Sequence, residues 1–187
     1  MTQYLTATSI DGYIADPENS LDWLFRIEQG DDATQRWDDF LGRVGAMVMG
    51  ATTYEWCLAH DDLLDHPEKW QEHYADRPCW VFTHRDLPAV PGADLRFAQG
   101  DVAAVHADLV EAAGGRNVWL VGGGELVGSF HDAGLLDEVI LGVASVFLGS
   151  GAPLLPRRIA TPPLALVEVQ QYGTAFVSLR YRVPRRG

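Results

Sequence analysis

The chain has 187 residues, 47% of them apolar and 21% charged, which fits one globular domain and excludes a disordered, fibrous or disulfide-dense protein. Fourteen Lys and Arg face 26 Asp and Glu, and the net charge of −12 argues against nucleic acid or an anionic membrane surface as a partner. The surplus lies entirely in residues 1–76, which hold 16 acidic and 4 basic side chains against 10 of each in residues 77–187.

Cys57 and Cys79 have neither CxxC spacing nor companion ligands, so no metal site is expected. No basic region followed by an apolar core opens the chain, and no run of 18 apolar residues occurs. The expectation is a single cytoplasmic domain over residues 1–187.

The first predicted strand is Tyr4 to Ala7, ended by the turn pair Asp11-Gly12. Residues 13–30 mix turn formers with Ile14, Leu21, Trp23, Leu24 and Phe25, the pattern of an ordered aromatic loop. A helix is predicted from Asp31 or Asp32, with Trp37, Phe40, Leu41 and Val44 at helical spacing. Ala46 to Met49 is a continuous apolar run of buried-strand type that feeds a helix through Gly50 and the capping pair Thr52-Thr53. Trp80 to Thr83 is a further buried strand, Leu95 to Phe97 a weaker one, and Val102 to Ala113 a helix. Asn117 to Val121 is a strand that runs directly into Gly122-Gly123-Gly124 and a second helix. Strands are expected over Glu138 to Phe147, Leu164 to Gln170 and Ala175 to Val183. Alternation followed by paired strands predicts an α/β fold, three layers deep, with a mostly parallel sheet and an antiparallel C-terminal edge.

Three strand ends could carry chemistry. Successive glycines before a helix let backbone N–H groups approach a diphosphate closely, and the unpaired N–H groups of the first turn favour an anion. Gly122-Gly123-Gly124 has that form, and Gly50 with Thr52 and Thr53 repeats it with hydroxyls. Thr83 and Arg85 add a hydroxyl and a guanidinium at the third end. All three lie at the carboxyl ends of inner strands, where open α/β sheets bind ligands, so one extended phosphate-bearing cofactor is expected. In the loop, Trp23 would shield a reacting ring from water while Asp22 assists a proton, and Tyr54 is a further donor or packing residue.

The order Ser9-Ile10-Asp11-Gly12-Tyr13-Ile14-Ala15, Asp22-Trp23, Gly50-Ala51-Thr52-Thr53-Tyr54-Glu55, Val121-Gly122-Gly123-Gly124, Gly134-Leu135-Leu136-Asp137-Glu138 and Leu148-Gly149-Ser150-Gly151 resembles the dihydrofolate-reductase-like superfamily. Within it, the chain is similar to the C-terminal reductase domain of the bifunctional riboflavin-biosynthesis deaminase-reductase. The resemblance implies a reductase that uses NADPH, with NADH as the alternative, on a small heterocyclic or ribosylamino-pyrimidine-like substrate. It places Ala7 and Ile14 at the nicotinamide, Gly50, Thr52 and Thr53 on the diphosphate, and Gly122, Gly123, Gly124, Glu125 and Leu126 over it. Thr83 and Arg85 would approach the adenosine ribose, with Arg85 reading its 2′-phosphate.

The resemblance also implies a cis Gly122-Gly123 bond and pairing of relatives, hence a homodimer. Ala51 stands where the family usually has Arg or Lys. Leu5 and Gly122 stand where riboflavin reductases carry the lysine and glutamate that serve a phosphoribosyl substrate. Two alternatives stay open. Glu28 and Arg77 have the spacing of the substrate carboxylate and tail-gripping arginine of dihydrofolate reductases, and a cofactor-binding module without turnover is the other reading. The acidic first part predicts a neutral or cationic substrate.

Overall fold

The computed structural model describes residues 1–28, 30 and 33–185. Its centre is β3 (Val44–Gly50), whose apolar run is buried from Val44 to Met49, as a strand covered on both faces requires. Parallel neighbours are β4 (Cys79–Phe82) on one side and β6 (Asn117–Gly122) on the other. Beyond β4 lies β5 (Leu95–Ala98), and beyond β6 lie β1 (Thr2–Thr8) and β7 (Glu138–Ala144), all parallel.

The hairpin β9 (Ala165–Tyr172) and β10 (Phe176–Arg182) closes the far edge antiparallel, giving the eight-stranded order β5-β4-β3-β6-β1-β7-β10-β9. The predicted α/β class, mostly parallel sheet and antiparallel edge are therefore the observed ones. A separate antiparallel pair, β2 (Tyr13–Ala15) with β8 (Ala152–Pro153), straps the 9–16 segment to the 148–154 segment. Asp11 reinforces that strap by accepting hydrogen bonds from the backbone N–H groups of Leu148 (3.1 Å) and Gly149 (2.7 Å).

Alternation along the strands divides the core into two layers. Tyr4, Ala46, Val48 and Leu120 face α5 (Val102–Ala112) and α6 (Gly124–Asp132), with Leu109, Val127 and Phe130 from the helices. Met47, Met49, Val81 and Trp119 face the other way, toward α3 (Ala51–His60) and α4 (Glu68–Tyr74), which contribute Tyr54, Cys57 and Trp70. Helix α2 (Ala33–Leu41) packs on the same side, with Trp37 and Phe40 edge-on to Trp119 at ring separations of 5.3 and 5.4 Å. The predicted start of this helix, Asp31 or Asp32, lies outside the described residues.

On this second side the helices cover the half of the sheet around β3 and β4. Over β1, β7, β10 and β9 the sheet face instead lines a deep cavity.

Candidate active site

Two adjoining hollows share a wall. The smaller, about 440 Å³, is a cleft between the first turns of α3 and α6, where β3 and β6 end side by side. Both helices begin on a glycine with no side-chain cap: Gly50 before α3 (φ −80°, ψ 164°) and Gly123 before α6 (φ −84°, ψ 178°). Their first-turn N–H groups are therefore left for a ligand, and both helix dipoles present their positive ends to the same space.

The approach is close. A methyl group on Gly50 would lie 3.7 Å from the Gly123 nitrogen, and one on Gly122, whose φ of +150° disfavours any side chain, 3.4 Å from Thr53 Oγ1. A methyl on Gly124 would collide with the carbonyl of Pro153 and lie 2.6 Å from that of Leu154, so only glycine lets the 152–154 strand roof the cleft. The Gly122-Gly123 peptide is cis, as the resemblance implied. Thr52, Thr53, Glu125, Leu126 and Ile14 are also among the cleft's lining residues. Glu125 points its carboxylate at Arg157 (2.8 Å), which also bonds Asp132 (2.7 Å).

The larger hollow, about 970 Å³, is a trough over the uncovered sheet face. Its floor includes Leu5, Ala7, Ile140, Gly142 and Ser178, with Glu168, Gln170 and Tyr172 on the edge strand. One wall is α2, where Arg36 lies 3.7 Å above the ring of Tyr172. The opposite wall is α3, whose Thr53, Trp56, Cys57 and His60 form one helical stripe. Trp56 stacks on His60 at 4.4 Å, and Phe25 stacks on His60 at 5.0 Å.

At the far end Gln3 donates to Glu138 (2.7 Å) and accepts from Asn117 (2.9 Å), while Arg180 grips Glu138 at 2.8 Å. Desolvation pushes the Glu138 carboxyl up, but the hydrogen bonds from Arg180 and Gln3 outweigh it and hold the group below the usual glutamate value. Thr6, Ile14, Leu21, Thr53, Trp56 and Val121 line both hollows, and none of the six is titratable.

Several sequence-predicted site residues lie elsewhere. Helix α1 (Asp22–Phe25) is a single turn that sends Leu24 and Phe25 into the trough, with Leu21 before it, so Asp22 and Trp23 fall on its other side and line neither hollow. Glu28 is exposed and also lines neither. Tyr54 is fully buried, lines neither hollow and donates to the Pro88 carbonyl (2.7 Å); burial pushes its hydroxyl up to about 12.

Arg77 is likewise withdrawn from substrate. Its guanidinium donates to the carbonyls of Leu41 (2.7 Å), Tyr74 (2.8 Å) and Val44 (3.1 Å), tying α2 and α4 to the start of β3. Ala7 lines the trough and Ile14 both hollows, whereas Thr83 and Arg85 stand beyond Phe82, outside the cleft lining. The acidic surplus of residues 1–76 is not the charge of the trough. Among the described residues lining the trough, Asp39 and Asp61 stand with Arg36 and Arg43, and β9 and β10 add Glu168 and Arg180, one of each sign.

Sequence reasoning missed Trp56, Trp119 and the trough-facing residues of β10. The stripe 53, 56, 57, 60 was readable once the helix after Gly50 was placed; the β10 residues carried no such signal.

Residues 3–178 match the RibD C-terminal domain. The chain belongs to that family. The uncharacterized protein YwjB of Bacillus subtilis is 34% identical over 176 residues, covering 94% of this chain and 93% of its own. The crystal structure of a putative riboflavin biosynthesis protein from Shewanella sp. PV-4 superposes with a TM-score of 0.79 at 24% identity, over 98% of this chain and 99% of the other. Dihydrofolate reductase from Enterococcus faecalis, solved with NADP(H) and RAB-propyl, superposes with a TM-score of 0.61 at 12% identity, over 97% and 95%. These structural likenesses carry the fold, which is dihydrofolate-reductase-like.

Proposed function

We propose that this RibD C-terminal domain protein is a reductase that binds a reduced nicotinamide dinucleotide in the cleft and a small heterocyclic substrate in the trough. The observation that carries the reading is the meeting of two uncapped helix N-termini, at Gly50 and Gly123, under a strand that only a glycine at 124 lets approach, beside an aromatic-walled hollow that shares one wall with the cleft. The dinucleotide, when bound, supplies the hydride.

The chain's own residues supply position and dryness. Gly50, Thr52, Thr53 and the Gly122 to Leu126 segment would hold the diphosphate through backbone N–H groups and hydroxyls, so an acidic protein needs no cationic cluster there. Ile14, Thr6 and Val121, with Ala7 just inside the trough, would flank the nicotinamide. Trp56 and Phe25 would screen it from water and stack the substrate ring, which suits a planar heterocycle such as a ribosylamino-pyrimidine. The Gln3, Asn117 and Arg180 end would meet polar substituents.

The test is a fluorescence titration with reduced dinucleotide followed by a panel of pterins, folates and pyrimidines, monitored by loss of reduced-nicotinamide absorbance. Saturable binding with turnover of at least one heterocycle is expected, and no binding at millimolar cofactor would sink the proposal. A binding module without turnover is the second reading. It is favoured by the shared wall, which among the described residues offers no titratable side chain to deliver a proton. Binding with no oxidation across the whole panel would select it. Strict folate reduction has no such support, because Glu28 and Arg77 line neither hollow.

A further inference from the structure

This inference rests on the proposal that the cleft holds a nicotinamide dinucleotide. The cleft has a direction. Its inner end, at Thr6, Ile14 and Val121, opens into the trough and is where the reacting ring belongs. Its outer end is at Phe82, the last residue of β4, so the adenosine half lies toward the 83–94 connection between β4 and β5.

The one guanidinium there is already paired. Among the described residues lining the cleft, the only charged side chain is Glu125, which is held by Arg157. The 83–94 connection contains one Lys or Arg, Arg85, alongside Asp86 and Asp94. Arg85 Nη1 sits 2.7 Å from Glu55 Oε1 on the second turn of α3. The nearby hydroxyl is engaged too: Thr83 Oγ1 accepts from the Arg85 backbone N–H (2.9 Å) and donates to the Arg85 carbonyl (3.2 Å).

A 2′-phosphate approaching Arg85 would therefore meet the Glu55 carboxylate one salt-bridge length away. It would have to displace that carboxylate or share the guanidinium with it, whereas the diphosphate, common to NADH and NADPH, is held by neutral groups and does not discriminate.

We infer that Glu55 is a specificity-determining residue: by pairing with Arg85 it engages the one guanidinium of the 83–94 connection, so the chain binds NADH at least as tightly as NADPH.

The experiment is direct titration of the intact chain with NADH and with NADPH, read by tryptophan fluorescence without turnover, at low and at moderate salt. The native chain is expected to bind NADPH no more tightly than NADH. Glu55→Gln, a substitution at a partly exposed position, should tighten NADPH roughly five- to tenfold while NADH stays within about twofold, with the gain shrinking as salt rises. Adding Arg85→Ala to Glu55→Gln should return NADPH to its native affinity, which assigns the gain to the freed guanidinium.

A native preference for NADPH beyond about twofold overturns this inference alone, as does a Glu55→Gln variant that shifts both dinucleotides equally. Binding of neither dinucleotide overturns the reductase proposal and this inference with it.

Discussion

The cleft and the trough share a wall but are made of different material. The cleft is main chain: two strand ends, two helix starts and, at Gly124, a position where a side chain would push away the roof. The trough is side chain: Trp37, Phe40 and Trp119 from two elements, Trp56 and His60 from a third, and Arg180 and Tyr172 from the C-terminal hairpin. Backbone N–H groups suit a ligand part that does not vary, such as a diphosphate. Side chains drawn from many elements can be changed one at a time to suit a different ring, which is where members of one fold would diverge.

This contrast can be broken most forcefully at Trp119. It is 4% exposed, anchors Trp37 and Phe40 edge-on, and donates from Nε1 to the Leu5 carbonyl at 3.1 Å. Trp119→Ala should cost about 3–5 kcal/mol in denaturant unfolding, and at temperatures where the variant is folded it should weaken substrate while dinucleotide affinity persists. Equal loss at both hollows would show that they do not act separately.

Next is Arg77→Met, which removes three hydrogen bonds to carbonyls and should destabilise by about 3 kcal/mol with no change in affinity for any ligand. A specific rise in KM with unchanged stability would restore Arg77 as a substrate residue.

Gly124→Ala attacks the cleft alone. The new methyl overlaps the carbonyls of Pro153 and Leu154, so a cost of about 1–3 kcal/mol and at least about a tenfold loss of dinucleotide affinity are expected, by thermal melting and titration. Substrate-analogue binding in the trough should be spared.

The smallest effect is an acid limb that belongs to the trough. Glu138 has a folded pKa below its ordinary value, so its contribution is present above the unfolded value and is lost as pH falls through the folded one. Urea midpoints measured downward from neutral pH should fall below the ordinary glutamate range, and Glu138→Gln should flatten that limb. A native curve with no such limb would show that the Arg180 and Gln3 contacts do not hold the carboxylate in solution.

The two hollows were also unequally legible. Gly50, Thr52, Thr53 and the triglycine could be placed at one cleft because a buried apolar strand followed by glycine and a helix start is a local pattern. Asp22, Glu28, Arg77 and Tyr54 misled because residue type shows what a group can do but not which way it points. A one-turn helix turned Asp22 and Trp23 away, three carbonyls captured Arg77, and burial with the Pro88 carbonyl closed off Tyr54.

By itself the sequence determined the α/β class, the parallel centre with its antiparallel edge, and the glycine-lined junctions that end β3 and β6, because each depends on periodicity and on glycines adjacent in the chain. Only the tertiary structure decided the trough, the balance of charge within it and the pairing of Glu55 with Arg85. Those depend on contacts between residues far apart in sequence, and no local pattern records which helix stops short of covering a sheet.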